Sequence, residues 1–257
     1  MTEPERIELA PGYTICRVIN GCWQLTPDHG GGPGVESDTM RILNEQLEHG
    51  FTTFDCADIY TGVESLLGRV RAGLADPDAI QIHTKQVPDK DTLLALTAQA
   101  NDSVIDRSLK RLRVDRLDLV QFHWWDHAAP GMELLIERLL NAQRQDKIRL
   151  LGVTNFDAGQ VQRMSDSGVP LVSLQAQYSL LDRRPEYRMA RVAQDSGVGL
   201  LAYGALAGGF LGARYLGGKP PTLMNRSLTK YRLIIEETGG WQTYQELLAL
   251  LCDIGDR

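Results

Sequence analysis

Residues 51–60 read Phe51-Thr52-Thr53-Phe54-Asp55-Cys56-Ala57-Asp58-Ile59-Tyr60. A short apolar run ends on a carboxylate, and a tyrosine follows. The same pattern returns twice. Ile80-Gln81-Ile82-His83-Thr84 closes on Lys85, and Leu117-Asp118-Leu119-Val120-Gln121-Phe122 closes on His123. Helix-like stretches follow each run, so the order is strand, loop, helix, repeated. That order predicts a parallel α/β barrel whose strands all end on one face, where barrel enzymes carry their chemistry. Asp55, Tyr60, Lys85 and His123 would then converge on one pocket.

Working outward, residues 7–16, with Pro11-Gly12 at their centre, predict a hairpin, and Arg17 to Trp23 a first barrel strand. Gly30-Gly31-Gly32-Pro33-Gly34 lacks the Lys-Ser/Thr of a phosphate loop and is expected to be a flexible connection. Ser37 and Asp38 are candidate caps for a helix ending at Gly50. Further strands are expected at 52–55, 79–84, 117–122, 150–153, 171–175 and 199–203. Helices are expected near 63–72, 92–112, 132–145, 185–195, 228–237 and 243–253. Residues 204–228, rich in glycine and carrying Pro220-Pro221, predict a long loop. The count is seven strand–helix units against the eight of a closed barrel. No compositional break divides the chain, so residues 1–257 are expected to form one domain.

With 257 residues, 43% hydrophobic and 23% charged, the chain can bury a core. The net charge of −6 argues against a nucleic-acid partner, which would need a basic face. The acidic start Met1-Thr2-Glu3-Pro4-Glu5-Arg6 lacks the apolar core of a signal peptide, and no apolar stretch is long enough to span a membrane. Cys16, Cys22, Cys56 and Cys252 form no Cys-x-x-Cys pair and are expected to be buried, reduced thiols rather than metal ligands, consistent with a cytoplasmic protein.

An unperturbed tyrosine is a weak acid, with a pKa of about 10. A neighbouring ammonium makes its anion easier to form. An aspartate beside the lysine keeps that ammonium charged and in place. A histidine within hydrogen-bond reach can orient a carbonyl oxygen or relay a proton. Together the four groups suit protonation of a carbonyl oxygen while a nicotinamide supplies hydride to the carbon.

Asp55-Cys56-Ala57-Asp58-Ile59-Tyr60, Thr84-Lys85 and Gln121-Phe122-His123 resemble the Asp–Tyr–Lys–His tetrad of the aldo-keto reductases. Gly21-Cys22-Trp23 is similar to the family's first-strand motif. Asp106 through Asp118 resembles the segment before its fourth strand, and Lys147 through Phe156 resembles its Gly-Val-Ser-Asn-Phe region, with Thr154 in place of serine. The resemblance implies a barrel of the (β/α)8 type and reduction of an aldehyde or small ketone with NADPH, NAD being an alternative, and Tyr60 as proton donor. It further implies that Thr154, Asn155 and Gln175 meet the nicotinamide carboxamide and that Tyr203 stacks on the ring. Gly21, Gly204, Leu206 and Gly208 would lie along the cofactor, and Trp23 and Trp124 would line the substrate pocket.

Taken singly, Asp55 is a loop or capping residue, Lys85 a solvated charge and His123 a structural histidine; the ordered set carries the catalytic reading. His83, Trp125 and His127 are expected in core, pocket wall or loop. Asp58 is a loop residue that could support Tyr60, and Glu64 a helix-starting cap. Nothing after Trp241 resembles the family's eighth strand and helix, whose basic residues grip the 2′-phosphate of NADP. An unclosed barrel exposes two edges and invites self-association. A non-enzymatic, cofactor-binding or regulatory relative is therefore the competing reading. A Schiff-base aldolase using Lys85 is disfavoured, because Asp55 would keep that lysine protonated.

Overall fold

The computed structural model describes residues 3–27, 36–89, 98–223 and 226–256. Seven parallel strands form one curled sheet in sequential order, a half-barrel: β3 (Asn20–Gly21), β4 (Thr53–Asp55), β5 (Gln81–Gln86), β6 (Leu117–Phe122), β7 (Ile148–Thr154), β8 (Leu171–Gln177) and β9 (Gly199–Tyr203). Helices α1 (Glu36–Glu48), α2 (Val63–Ala72), α3 (Ala98–Leu112), α4 (Met132–Arg144), α5 (Ala158–Asp166) and α6 (Arg188–Asp195) fall between successive strands. Among the described residues no strand joins β3 to β9. This is the (β/α)8 architecture without one unit.

Strands buried on both faces can carry near-continuous apolar runs, as β6 does. The outward face here is apolar, and the inward face is mostly polar. Phe54, Ile82, Val120, Phe122, Val153 and Leu174 pack outward with helix residues such as Leu67, Leu112, Leu139 and Val161 in the main core. The concave face holds Thr53, Asp55, His83, Lys85, Gln121, Ser173 and Gln175, mostly buried. Packed apolar helices outside and hydrogen-bonded polar groups inside together satisfy both surfaces of the sheet.

The strands' N-terminal end is covered by the antiparallel hairpin of β1 (Arg6–Ala10) and β2 (Tyr13–Cys16). Ala10, Tyr13 and Ile15 form a small core with Leu150, Val172 and Leu201. Arg149 stacks on the Tyr13 ring at 4.7 Å and donates to Gly12 O at 2.8 Å.

Several boundaries differ from the sequence reading. The first barrel strand pairs only at Asn20–Gly21; Trp23–Leu25 turns into a 3-10 helix instead. The third is displaced along the chain to Gln81–Gln86, because Pro77–Ala79 forms a 3-10 turn capped by Asp76. Ser37 and Asp38 lie within α1 and are not its caps. Helix α5 was not expected from the sequence. Its start is a capping box, with Asp157 accepting from Gln160 N at 2.9 Å and Gln160 reaching back to Asp157 N. The glycine-rich stretch 30–34 and residues 92–97 of the expected third helix lie outside the described residues.

The long loop after β9 is ordered by its own core. Two 3-10 turns, Ala207–Gly209 and Ala213–Tyr215, precede α7 (Arg226–Glu237) and α8 (Gly240–Gly255). Phe210, Ile235, Tyr244 and Leu248 are buried together, and Tyr244 Oη donates to Phe210 O at 2.6 Å. Gly204 and Gly208 have positive φ, and a Cβ would meet the Tyr231 hydroxyl at 2.5 Å from Gly204 and the Tyr231 ring at 2.5 Å from Gly208. Both positions therefore require glycine for packing as well as for backbone geometry.

Candidate active site

The C-terminal ends of β4, β5 and β6 bring the chemistry together. Asp55 closes β4, and Lys85 points inward one residue before β5 ends. Lys85 Nζ donates to Asp55 Oδ2 at 2.5 Å and to Cys56 O at 2.8 Å. The other carboxylate oxygen, Oδ1, accepts from Gln121 Nε2 at 2.8 Å and Gln175 Nε2 at 2.9 Å. Four strands therefore converge on one carboxylate. A buried ion pair is tolerated only when its remaining hydrogen-bonding capacity is met, and here neutral amides meet it.

Tyr60, on the loop between β4 and α2, faces this pair. The Lys85 ammonium lies 5.2 Å from the centre of its ring. Burial pushes the Tyr60 phenol above its ordinary value, and the Lys85 charge pulls against that rise. Burial alone would lower the Lys85 pKa, but Asp55 and Tyr60 outweigh it and hold the ammonium at about 12. Near neutrality Tyr60 keeps its proton beside a permanent cation, which stabilises the phenolate left when that proton departs. The Trp23 ring meets Tyr60 edge-on at 4.7 Å.

His123 follows β6 directly. Its Nδ1 lies 3.2 Å from Thr154 O. A carbonyl only accepts, so Nδ1 bears the proton and Nε2 presents a lone pair in the neutral ring. Burial lowers the His123 pKa against the raising effect of the Thr154 carbonyl, and the charges of His127, Lys230 and Lys85 lower it further. The neutral ring is thus an acceptor or relay at Nε2, and it can donate there only after gaining a second proton.

At the β7–β9 side, Thr154 Oγ1 donates to Gln175 Oε1 at 3.4 Å. Asn155 sits just past β7 with φ 61° and accepts from Tyr203 Oη at 2.8 Å. Asparagine tolerates this left-handed geometry better than most residues. Tyr203 ends β9. Gly21 ends β3, exposed and next to Asp55 in register. In the following loop, Gly204 O and Leu206 O accept from Ala207 N and Gly209 N, and Gly208 has φ 65°.

Trp124 is a correction. It is 1% exposed, packed on Phe122 in the outer core, and does not open onto this face. Trp125 takes that place: it is 44% exposed, edge-on to His123 at 4.6 Å, with its indole N–H on Pro88 O. Alternation could have revealed this. Gln121, His123 and Trp125 share one parity, and Phe122 and Trp124 the other. Gln121, a polar residue in an apolar run, was also legible as an inward group. Glu64 is fully buried between Thr84 Oγ1 and Arg111, and Asp58 accepts from Val87 N, so neither supports Tyr60 directly. His83 bonds Tyr13 Oη at 3.2 Å below the site, and His127 packs on Phe156. No cluster of metal-ligating side chains occurs among the described residues, and no helix there is long and apolar enough to cross a membrane.

The description of the Aldo/keto reductase family matches residues 17–257. Protein tas of Escherichia coli K12 is 39% identical over 176 residues, covering 58% of this chain and 48% of that protein. Aldo-keto reductase YhdN of Bacillus subtilis is 30% identical over 205 residues, covering 78% of this chain and 61% of that one. The solved holo form of aldo-keto reductase AKR11C1 from Bacillus halodurans superposes with a TM-score of 0.72 at 25% identity, over 91% of this chain and 77% of that one. This chain belongs to the aldo/keto reductase family. It spans 48% of the length of protein tas and 61% of that of YhdN.

Proposed function

We propose that the protein is an NADPH-dependent oxidoreductase that reduces an aldehyde or small ketone to the alcohol, with Tyr60 as proton donor. The observation that carries this reading is the Asp55–Lys85 pair set against the half-buried Tyr60, with Gln121 and Gln175 anchoring the carboxylate. A pair so placed has no structural need of a tyrosine beside it, but a proton donor needs both.

The residues at the β7–β9 side fit a nicotinamide. Tyr203 offers an aromatic ring whose hydroxyl accepts from Lys230 Nζ at 2.5 Å. Thr154, Asn155 and Gln175 offer one hydroxyl and two amides for a carboxamide. The bound nicotinamide supplies hydride, which no side chain can. Tyr60 donates its proton to the substrate oxygen as negative charge builds there, and Lys85 stabilises the phenolate that remains. Asp55 holds Lys85 charged and in place. His123, with Nδ1 committed to Thr154, receives a hydrogen bond from the new alcohol at Nε2. Trp23 and Trp125 flank the opening and favour a substrate with a flat or apolar body. NADH is the alternative donor.

Incubation with 4-deuterated NADPH and a panel of aldehydes and ketones tests the reading. Deuterium should appear on the former carbonyl carbon in step with NADPH oxidation. Binding of NADPH without deuterium transfer to any carbonyl would favour a cofactor-binding relative instead.

A further inference from the structure

Tyr60 sits in the loop 56–62, and that loop is fastened to β5 at both ends. Before Tyr60, the Asp58 N–H donates to Lys85 O at 3.2 Å, and Asp58 Oδ1 accepts from Val87 N at 3.2 Å. After Tyr60, Glu64 stands in the first turn of α2, and its Oε1 accepts from Thr84 Oγ1 at 2.8 Å. Thr84 and Val87 lie on either side of Lys85. The backbone bonds of Tyr60 itself are local: Tyr60 N donates to Ala57 O and Val63 N to Tyr60 O, each at 3.0 Å. They shape the turn, and the fastenings at Asp58 and Glu64 fix where it lies.

One side chain joins the two fastenings. Arg111, near the end of α3, donates from Nη1 to Asp58 O at 3.1 Å and to Glu64 Oε2 at 3.2 Å. Its place is set by helix packing. A Cβ at Gly68 of α2 would run into Arg111 O, so the two helices meet there backbone to backbone. The Glu64 side chain is 1% exposed and that of Arg111 37%, so the guanidinium covers the buried carboxylate from outside. A carboxylate so deep is kept charged only by such a partner.

We propose that Arg111 is a positioning residue: by holding Asp58 and Glu64 together, it sets the Tyr60 hydroxyl against Lys85 and the substrate oxygen. This rests on the reading of Tyr60 as proton donor. Proton transfer needs hydrogen-bond reach, and a displacement of about 1 Å can cost about a hundredfold in rate. Arg111 does not touch the reacting groups; it acts from the outer helical layer through the loop. The residues that fit a nicotinamide stand on β7, β8 and β9, away from this clamp. Its loss should therefore fall on turnover and not on NADPH affinity.

Arg111→Met combined with Glu64→Gln removes the clamp without leaving a lone buried charge. Glu64→Gln alone keeps Arg111 and its bond to Asp58 O, and serves as the reference. Three quantities are compared: turnover on each aldehyde or ketone that the wild type reduces, NADPH affinity by calorimetry, and amide hydrogen exchange. Relative to the reference, the double variant should turn over roughly ten- to a hundredfold more slowly at unchanged NADPH affinity. Amides of residues 58–63 should exchange faster, while those of β6 and β7 keep their protection. Unchanged exchange at 58–63, or a rise spread evenly over the sheet, would overturn the clamp. Faster exchange at 58–63 with turnover intact would overturn the positioning role and leave Tyr60 as proton donor untouched. If the wild type reduces no aldehyde or ketone, the proton-donor reading fails and the positioning role fails with it, whatever the exchange shows.

Discussion

Two tyrosines and two histidines serve the interior of this half-barrel at different levels, in opposite surroundings. In the lower layer Tyr13 comes up from the hairpin to His83, which is completely buried. Burial raises the Tyr13 phenol far above its ordinary value and lowers the His83 imidazole to about 4, so both stay neutral. In the upper layer Tyr60 and His123 feel burial in the same directions, yet Tyr60 stands beside the Lys85 ammonium. A sealed tyrosine, its pKa kept far up by burial although the Arg149 guanidinium stacks on its ring, is a structural hydrogen-bonding group. A half-open tyrosine whose anion a cation would stabilise is equipped to give up its proton. The same residue types thus separate into structure and chemistry through one buried charge pair and access to solvent.

Removing that pair should have the largest effect. Lys85→Met leaves Asp55 a buried carboxylate with only two amides, and breaking a buried pair costs about 3–5 kcal/mol. Chemical denaturation should register that loss together with loss of carbonyl reduction. Wild-type stability in this variant would mean that Gln121 and Gln175 suffice to hold Asp55.

The lower layer should show itself in acid. The folded-state pKa of His83 is depressed, so its contribution is complete above the unfolded value of about 6.5 and is lost as pH falls toward about 4. Between those limits the unfolded chain binds the extra proton, so stability declines by up to about 3 kcal/mol. His83→Gln should flatten this window in unfolding curves measured from pH 7 to pH 4. An unchanged slope would assign the acid sensitivity elsewhere.

A smaller effect distinguishes the two tryptophans. Trp125→Ala should raise KM several-fold with little loss of stability, because the ring is 44% exposed beside His123. Trp124→Ala should instead cost about 3–5 kcal/mol of stability through the cavity it leaves. Reversed outcomes would restore Trp124 to the pocket wall.

Much of this was legible from residue order. Asp55, Lys85 and His123 stand out because parallel strands expose their final inward residues on one face. The shift of β5 is obscured because His83 and Gln86 are polar yet buried and Gln81 is half-buried, which breaks the apolar run that marks its ends. Helix α5 was missed although Asp157 and Gln160 carry a capping signal, since Gly159 suggests a turn. Trp124 as a pocket residue comes from the family resemblance, where strand alternation favours Trp125. No local signal points to Lys230. Its position depends on where α7 packs, which is a consequence of the Phe210–Tyr244 core and not of any motif.

The upper and lower tyrosines can be compared in one measurement: steady-state carbonyl reduction by Tyr60→Phe and Tyr13→Phe, each with NADPH affinity measured alongside. The predicted result is a fall of roughly 10²–10⁴-fold in turnover for Tyr60→Phe with NADPH binding retained, the usual worth of a general acid. Tyr13→Phe should keep its turnover and lose about 1 kcal/mol of stability with its bond to His83. Wild-type turnover in Tyr60→Phe, with the chemical step rate-limiting, would contradict the account.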